Sequence, residues 1–172
     1  MLLGKFKEQS LSKNFQKKLK AMPDGRTPTS KEIHSLTILT TDKISSELDL
    51  VNGFKNNIES IRNVHIYSFK KFKKTDAVTY KHFSEKDFDW SSTVKGPSFE
   101  SFLENPFDLL IGYFNEKNLY LELSSFKSKA TFKIGFANVN DKIFDLVVND
   151  TPENLESFIT VIKKYLALLH KI

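Results

Sequence analysis

Between Phe107 and Phe136 the apolar positions change their spacing twice. Leu109, Leu110, Ile111, Tyr113 and Phe114 form a near-continuous apolar run, the pattern of a strand covered on both faces. From Asn118 to Lys129, Leu119, Leu123 and Phe126 fall at helical spacing, and Phe132-Lys133-Ile134-Gly135-Phe136 resumes a strand. A crossover through a helix predicts that the two strands are parallel.

A second unit of the same kind precedes it. Leu36-Thr37-Ile38-Leu39-Thr40 reads as a β-branched and aliphatic strand, and Thr41 or Asp42 can cap a following helix. Ile44, Leu48, Val51, Ile58 and Ile61 fall close to one face of that helix, and Val64 to Phe69 reads as the next strand. Phe144 to Val148 is a short last strand. Thr151-Pro152-Glu153 then predicts a helix start, with Thr151 as cap and proline at the first helical position. Leu155, Phe158, Ile159, Ile162, Leu166 and Leu169 continue at a 3.6 period. Residues 70–106 mix basic, aromatic and polar residues, with a short helix predicted from Ser98 to Leu103.

These elements predict an α/β protein, a three-layer α/β/α sandwich on a mostly parallel, Rossmann-like or flavodoxin-like sheet of about five strands. Residues 1–32 read as a basic helical arm and linker, the linker being the turn-rich Ala21 to Ser30. Residues 33–172 read as a single α/β domain with an irregular insertion at about 70–106. A chain of 172 residues suits one such domain.

Charge changes this picture more than composition does. Forty per cent apolar and 27% charged residues is ordinary globular usage, and 16 phenylalanines point to an aromatic core. The absence of cysteine excludes disulfides, thiolate metal sites and cysteine nucleophiles. The net charge of +5 is concentrated in residues 1–20, where six lysines face the single acid Glu8. No apolar run suits a signal peptide or a membrane span, so the expectation is a cytoplasmic protein.

On a helical projection Leu11, Phe15 and Leu19 share one side, with Lys13, Lys17 and Lys20 opposite. Such lysines stand about 5–6 Å apart and can meet successive phosphates. Leu2, Leu3 and Phe6 fall on the far side from Leu11 and Phe15, which predicts a break near Ser10. The plain alternative is a solvated basic tail. Beyond the second strand, Lys70, Lys71, Lys73 and Lys74 interleave with Phe72. Lysines there would attract phosphates and an exposed Phe could stack on a base, whereas the plainer role for Phe69 and Phe72 is to plug the core.

In an open parallel sheet, ligands bind beyond the carboxyl ends of the strands. Thr41, Asp42, Asn115 and Asn138 fall at such ends and define a possible cleft. No glycine-rich phosphate loop follows the first strand, so no nucleotide motif is present. Asp42, Glu116 and Asp141 could hold magnesium, although acids at strand ends serve more often as caps. His34, His65, His82 and His170 have no metal-ligand spacing, and no nucleophile elbow accompanies Ser124-Ser125. No catalytic residue, metal site or cofactor is assigned.

The segments Phe83 to Trp90 (FSEKDFDW), Asn105 to Phe114 (NPFDLLIGYF) and Ser128 to Phe136 (SKATFKIGF), with the last amphipathic helix, resemble a family of conserved bacterial proteins of unknown function. The lysine-rich arm fits that family as well. About thirty residues also resemble the N-terminal lobe of heptosyltransferase-type glycosyltransferases, where Phe/Tyr-Asp opens a strand and Lys-Ala…Ile-Gly-Phe closes the unit. In those enzymes the nucleotide-sugar site belongs mainly to a second lobe.

The expected function is a non-enzymatic binding module that docks through its lysines on an anionic partner. RNA, including ribosomal RNA, comes first, then an acidic protein surface and anionic lipid. The alternative is a small-molecule enzyme or sensor that binds a phosphorylated or nucleotide-sugar ligand at the strand-end cleft.

Overall fold

Six strands hydrogen-bond in parallel in the order β3-β2-β1-β4-β5-β6, in a computed structural model that describes residues 2–23, 31–75 and 81–172. The strands are β1 (Ser35–Thr41), β2 (Asn63–Phe69), β3 (His82–Phe83), β4 (Leu109–Tyr113), β5 (Phe132–Phe136) and β6 (Leu146–Val148). The order is that of the doubly wound Rossmann sheet and differs from the flavodoxin order 2-1-3-4-5. The sixth strand, β3, comes from the stretch read as irregular, and two residues are too short to leave a pattern. Part of that stretch, 76–80, lies outside the described residues, as do residues 24–30 of the stretch read as a linker.

The central strands are buried on both faces, and each face has its own core. Leu36, Ile38, Leu109, Ile111 and Ile134 point to one side, where Leu50 and Phe54 of α3 (Leu50–Asn57) and Phe158 and Ile162 of α6 (Leu155–Leu168) cover them. Leu39 and Leu110 point to the other, against α4 (Pro97–Glu104), α5 (Leu119–Lys127) and α1 (Leu2–Lys20). The 16 phenylalanines largely serve this second side. Phe83, Phe88, Phe99 and Phe102 form a chain of ring contacts that reaches Tyr67 and Tyr120.

Helix α1 is not a detached arm. Leu11, Phe15 and Leu19 are buried in the same core as Leu110 and Leu121, and the Phe15 ring meets Phe126 edge-on at 5.5 Å. Nor does the helix break near Ser10. It runs unbroken because Leu3 and Phe6, at 74% and 58% exposure, are left in solvent. The amino-acid pattern identifies the apolar face but not its partner, α5.

Two helix boundaries differ from the sequence pattern. The helix after β1 is split into α2 (Asp42–Glu47) and α3, because Leu48 is extended and the Asp49 carboxylate accepts from the Asn52 N–H to begin a new helix. Helix α6 starts at Leu155, not after Thr151. Asp150 accepts from the Thr151 N–H and the Asn154 side chain, which holds residues 151–154 in a turn.

At the amino ends of β1 and β4 lies a polar lock. The buried Asp108 carboxylate accepts from the Ser35 hydroxyl at 2.7 Å, the backbone N–H groups of His34 and Ser35, and the Lys31 ammonium. The Ser35 hydroxyl in turn accepts from the Asp108 N–H at 3.0 Å. Burial alone would raise this carboxyl. The Lys31 and Ser35 side chains and the two N–H groups outweigh it and hold the group at about 2.

Candidate functional site

The carboxyl ends of β1 and β4 meet at the point where the strand order reverses, the place where doubly wound sheets bind ligands. Here two hydrogen bonds close the floor. The buried Thr40 hydroxyl donates to the Tyr113 carbonyl at 2.7 Å, and the Tyr113 hydroxyl donates to the Pro152 carbonyl at 2.8 Å. Burial, aided by the negative charges of Asp150 and Glu153, raises the Tyr113 phenol and keeps it a donor. Above this floor remains a hollow of about 150 Å³, lined among others by Thr41, Lys43, Asn115 and Glu153. Thr41 also caps α2, accepting from the Ile44 N–H at 3.2 Å.

The four residues read as a cleft therefore divide. Thr41 and Asn115 line one hollow, and Asp42 turns away from it. The Asp42 carboxylate lies 2.8 Å from His82 Nε2 and 3.8 Å from the Lys70 ammonium, on the side of β3. Asn138 is exposed beyond β5 and lines none of this hollow. Asp42, Glu116 and Asp141 do not assemble. Among the described residues no three histidine or carboxylate groups are placed to hold a metal ion.

A wider cleft of about 500 Å³ adjoins the hollow and shares Lys117 and Asn118 with it. One wall is the amino-terminal half of α1, at Gly4, Lys5 and Glu8. Phe69, at the end of β2, and Tyr120, in the first turn of α5, stack with ring centroids 5.5 Å apart and planes nearly parallel to make its apolar side. Burial, then the charges of Glu8 and Glu85, push the Tyr120 phenol up to about 12.

The lysines lie in three places. Lys13, Lys17 and Lys20 are exposed on α1, opposite the buried Leu11, Phe15 and Leu19. Lys70 pairs with Asp42, and Lys71 lines the wide cleft. Lys73 and Lys74 are exposed beyond it. Phe69 is packed in the core, as a structural plug would be, whereas Phe72 is 39% exposed with the Lys86 ammonium 3.3 Å from its ring centre. Sequence reasoning missed Lys5, Lys117 and Tyr120 as neighbours. Only the seating of α1 on α5 brings them together, and no local spacing carries that information.

With this geometry in view, a family model described as a family of unknown function (DUF6913) matches residues 7–169. The chain belongs to that family. No curated protein and no solved structure matches it. The family match takes in the greater part of α1 together with the whole sheet. Among the described residues no helix is long and apolar enough to cross a membrane.

Proposed function

We propose that this bacterial, cytoplasmic protein is a non-enzymatic binding module that docks on RNA, ribosomal RNA first, through the outer face of α1. The observation that carries this reading is the division of that helix. Leu11, Phe15 and Leu19 are committed to the core, so Lys13, Lys17 and Lys20 are held outward as a fixed stripe. A rigid stripe loses less side-chain and backbone freedom on binding than a disordered tail would. Lys127, the last residue of α5, feels the charge of Lys18 on α1 as well as those of Lys129, Glu104 and Asp89. Burial, then the nearby Lys18 charge, lowers the Lys127 ammonium, so an arriving anion relieves that repulsion.

The test is charge reversal at Lys13, Lys17 and Lys20, with retention on heparin and on RNA as the readout. Each phosphate contact contributes about 0.7–0.9 to the slope of log K against log salt, so the triple variant should lower that slope by about 2–3. Unchanged retention on RNA would end this reading. Loss of binding to acidic protein or to anionic vesicles, with RNA unaffected, would reassign the stripe to one of those partners.

A second reading is a small-molecule enzyme or sensor for a phosphorylated or nucleotide-sugar ligand. The hollow at the switch point, between Thr41 and Asn115, favours it. So does the local likeness of residues 107–136 to a glycosyltransferase lobe. At about 150 Å³ this hollow is below the usual 300–1,000 Å³ of ligand pockets. Thermal stabilisation by such a ligand, lost in Asn115→Ala, would establish this reading over the first.

A further inference from the structure

The geometry points to the wider cleft under α1 as a binding site for a nucleoside phosphate. This deepens the small-ligand reading and moves its site from Thr41 and Asn115 to the neighbouring space. At about 500 Å³ the cleft has the volume that small-molecule sites usually have. It lies at the carboxyl end of the sheet, beside the switch point.

Three lysines reach it from three separate segments: Lys5 from α1, Lys71 from the loop after β2 and Lys117 from the turn before α5. Among the described residues none of the three stands in an ion pair. Ammonium groups serve as mobile point charges for phosphate. Between them the half-buried Phe69 and the 8%-exposed Tyr120, stacked on each other, give the cleft a narrow apolar side that a base can contact. A sugar phosphate without a base would leave that side uncovered.

The two acids of the cleft have different duties. The Glu85 carboxylate accepts the Phe72 N–H at 3.1 Å and is thereby occupied within the protein. Glu8 is left to accept hydroxyl groups, the role that an acid plays toward ribose in dinucleotide-binding sheets.

Each lysine springs from backbone that is already fixed. Phe72, next to Lys71, is held by Glu85 and by the Lys86 ammonium over its ring. Helix α1 is tied down by the Lys7 ammonium, which donates to the Glu85 carbonyl at 2.8 Å. Asn118, next to Lys117, caps α5 by accepting from the Tyr120 and Leu121 N–H groups at 3.1 Å. Because that side chain occupies the helix N-terminus, the phosphate must be held by the lysines and not by the helix end.

The experiment is calorimetric titration of the full chain with the four ribonucleoside monophosphates, the matching nucleosides and inorganic phosphate. At least one monophosphate should bind saturably, and at least tenfold more tightly than its nucleoside or phosphate alone. Lys5→Ala and Lys71→Ala, both at exposed positions, should each weaken that binding about tenfold, while Asn115→Ala and the Lys13/Lys17/Lys20 reversal leave it unchanged. Absence of saturable binding by all four would overturn this inference, while the small-ligand reading falls only if phosphorylated sugars and nucleotide sugars also give no thermal stabilisation. Binding lost in Asn115→Ala but kept in Lys5→Ala and Lys71→Ala would overturn this inference alone. Equal affinity for inorganic phosphate would overturn the nucleoside part. Competition with a short single-stranded oligoribonucleotide then separates the sources. Displacement of the monophosphate assigns the site to an unpaired residue of a strand, and persistence assigns it to a free nucleotide.

Discussion

The Phe144 ring lies so close to Gly135 that a Cβ built at that glycine would stand 2.6 Å from the ring. Gly112, the cross-strand partner of Gly135, meets the same ring at the same distance. The two glycines leave a bare strip across β4 and β5, and the ring fills it. Gly135→Ala should therefore cost about 1–3 kcal/mol, the usual range for overpacking a filled core. Phe144→Ala should cost about 3–5 kcal/mol by leaving a void. Urea unfolding of the double variant checks the relationship. Its loss should be smaller than the sum of the single losses, because a smaller side chain at 144 makes room for the added methyl.

Asp108 supplies a pH dependence with a defined sign. Its carboxyl falls from 3.8 to about 2 on folding, so the folded state favours the ionised form. That contribution is fully present above the unfolded value near 4 and is lost as pH falls through about 2. Screening at the exposed Lys31 leaves it at about 2 kcal/mol. Stability measured by urea unfolding between pH 6 and pH 2 should fall by roughly that amount in the natural protein. Asp108→Asn should start lower and show a flatter profile over the same window.

Removal of residues 1–20 should destabilise the whole molecule, since α1 contributes Leu11, Phe15 and Leu19 to the core. Phe15→Ala alone should cost about 3–5 kcal/mol. Lys13→Glu, on the exposed side of the same helix, should stay within about 0.5 kcal/mol of the natural protein. A truncated chain with an unchanged melting temperature would contradict this seating of α1.

Leu110 and Ile162 test the two faces of the sheet separately. Both are fully buried, Leu110 in the core under α5 and Ile162 in the core under α6. Each change to alanine should cost about 2–5 kcal/mol, and the two losses should add because the sheet lies between them. Chemical denaturation of both single variants and the pair checks this.

How much of this was legible follows from how local each signal is. The strands at Leu36, Leu109 and Phe132 announce themselves because both of their faces are buried, whereas β2, only partly buried, is legible from the β-branched and aromatic residues between Val64 and Phe69. The pair His82 and Asp42 was hidden. It depends on β3, whose two residues carry no period. The helical projection correctly separated Leu11, Phe15 and Leu19 from Lys13, Lys17 and Lys20, yet an apolar face says only that something must cover it. That α5 is the cover, and that a cleft forms between them with Lys5 on one wall and Lys117 on the other, is a property of tertiary packing. The split between α2 and α3 turned on Asp49, an N-cap set inside a run that keeps one apolar face.

The contact between Phe15 and Phe126 also bears on how the chain is made. Helix α1 is synthesised before α5, which arrives only after most of the sheet. With elongation at about 5–20 residues per second, α1 spends on the order of ten seconds with its apolar face uncovered. During that interval its lysines are not yet held in a stripe and the cleft has no second wall. The final closure is thus a late, long-range event, and a ribosome-bound intermediate should show α1 sensitive to protease until α5 has emerged.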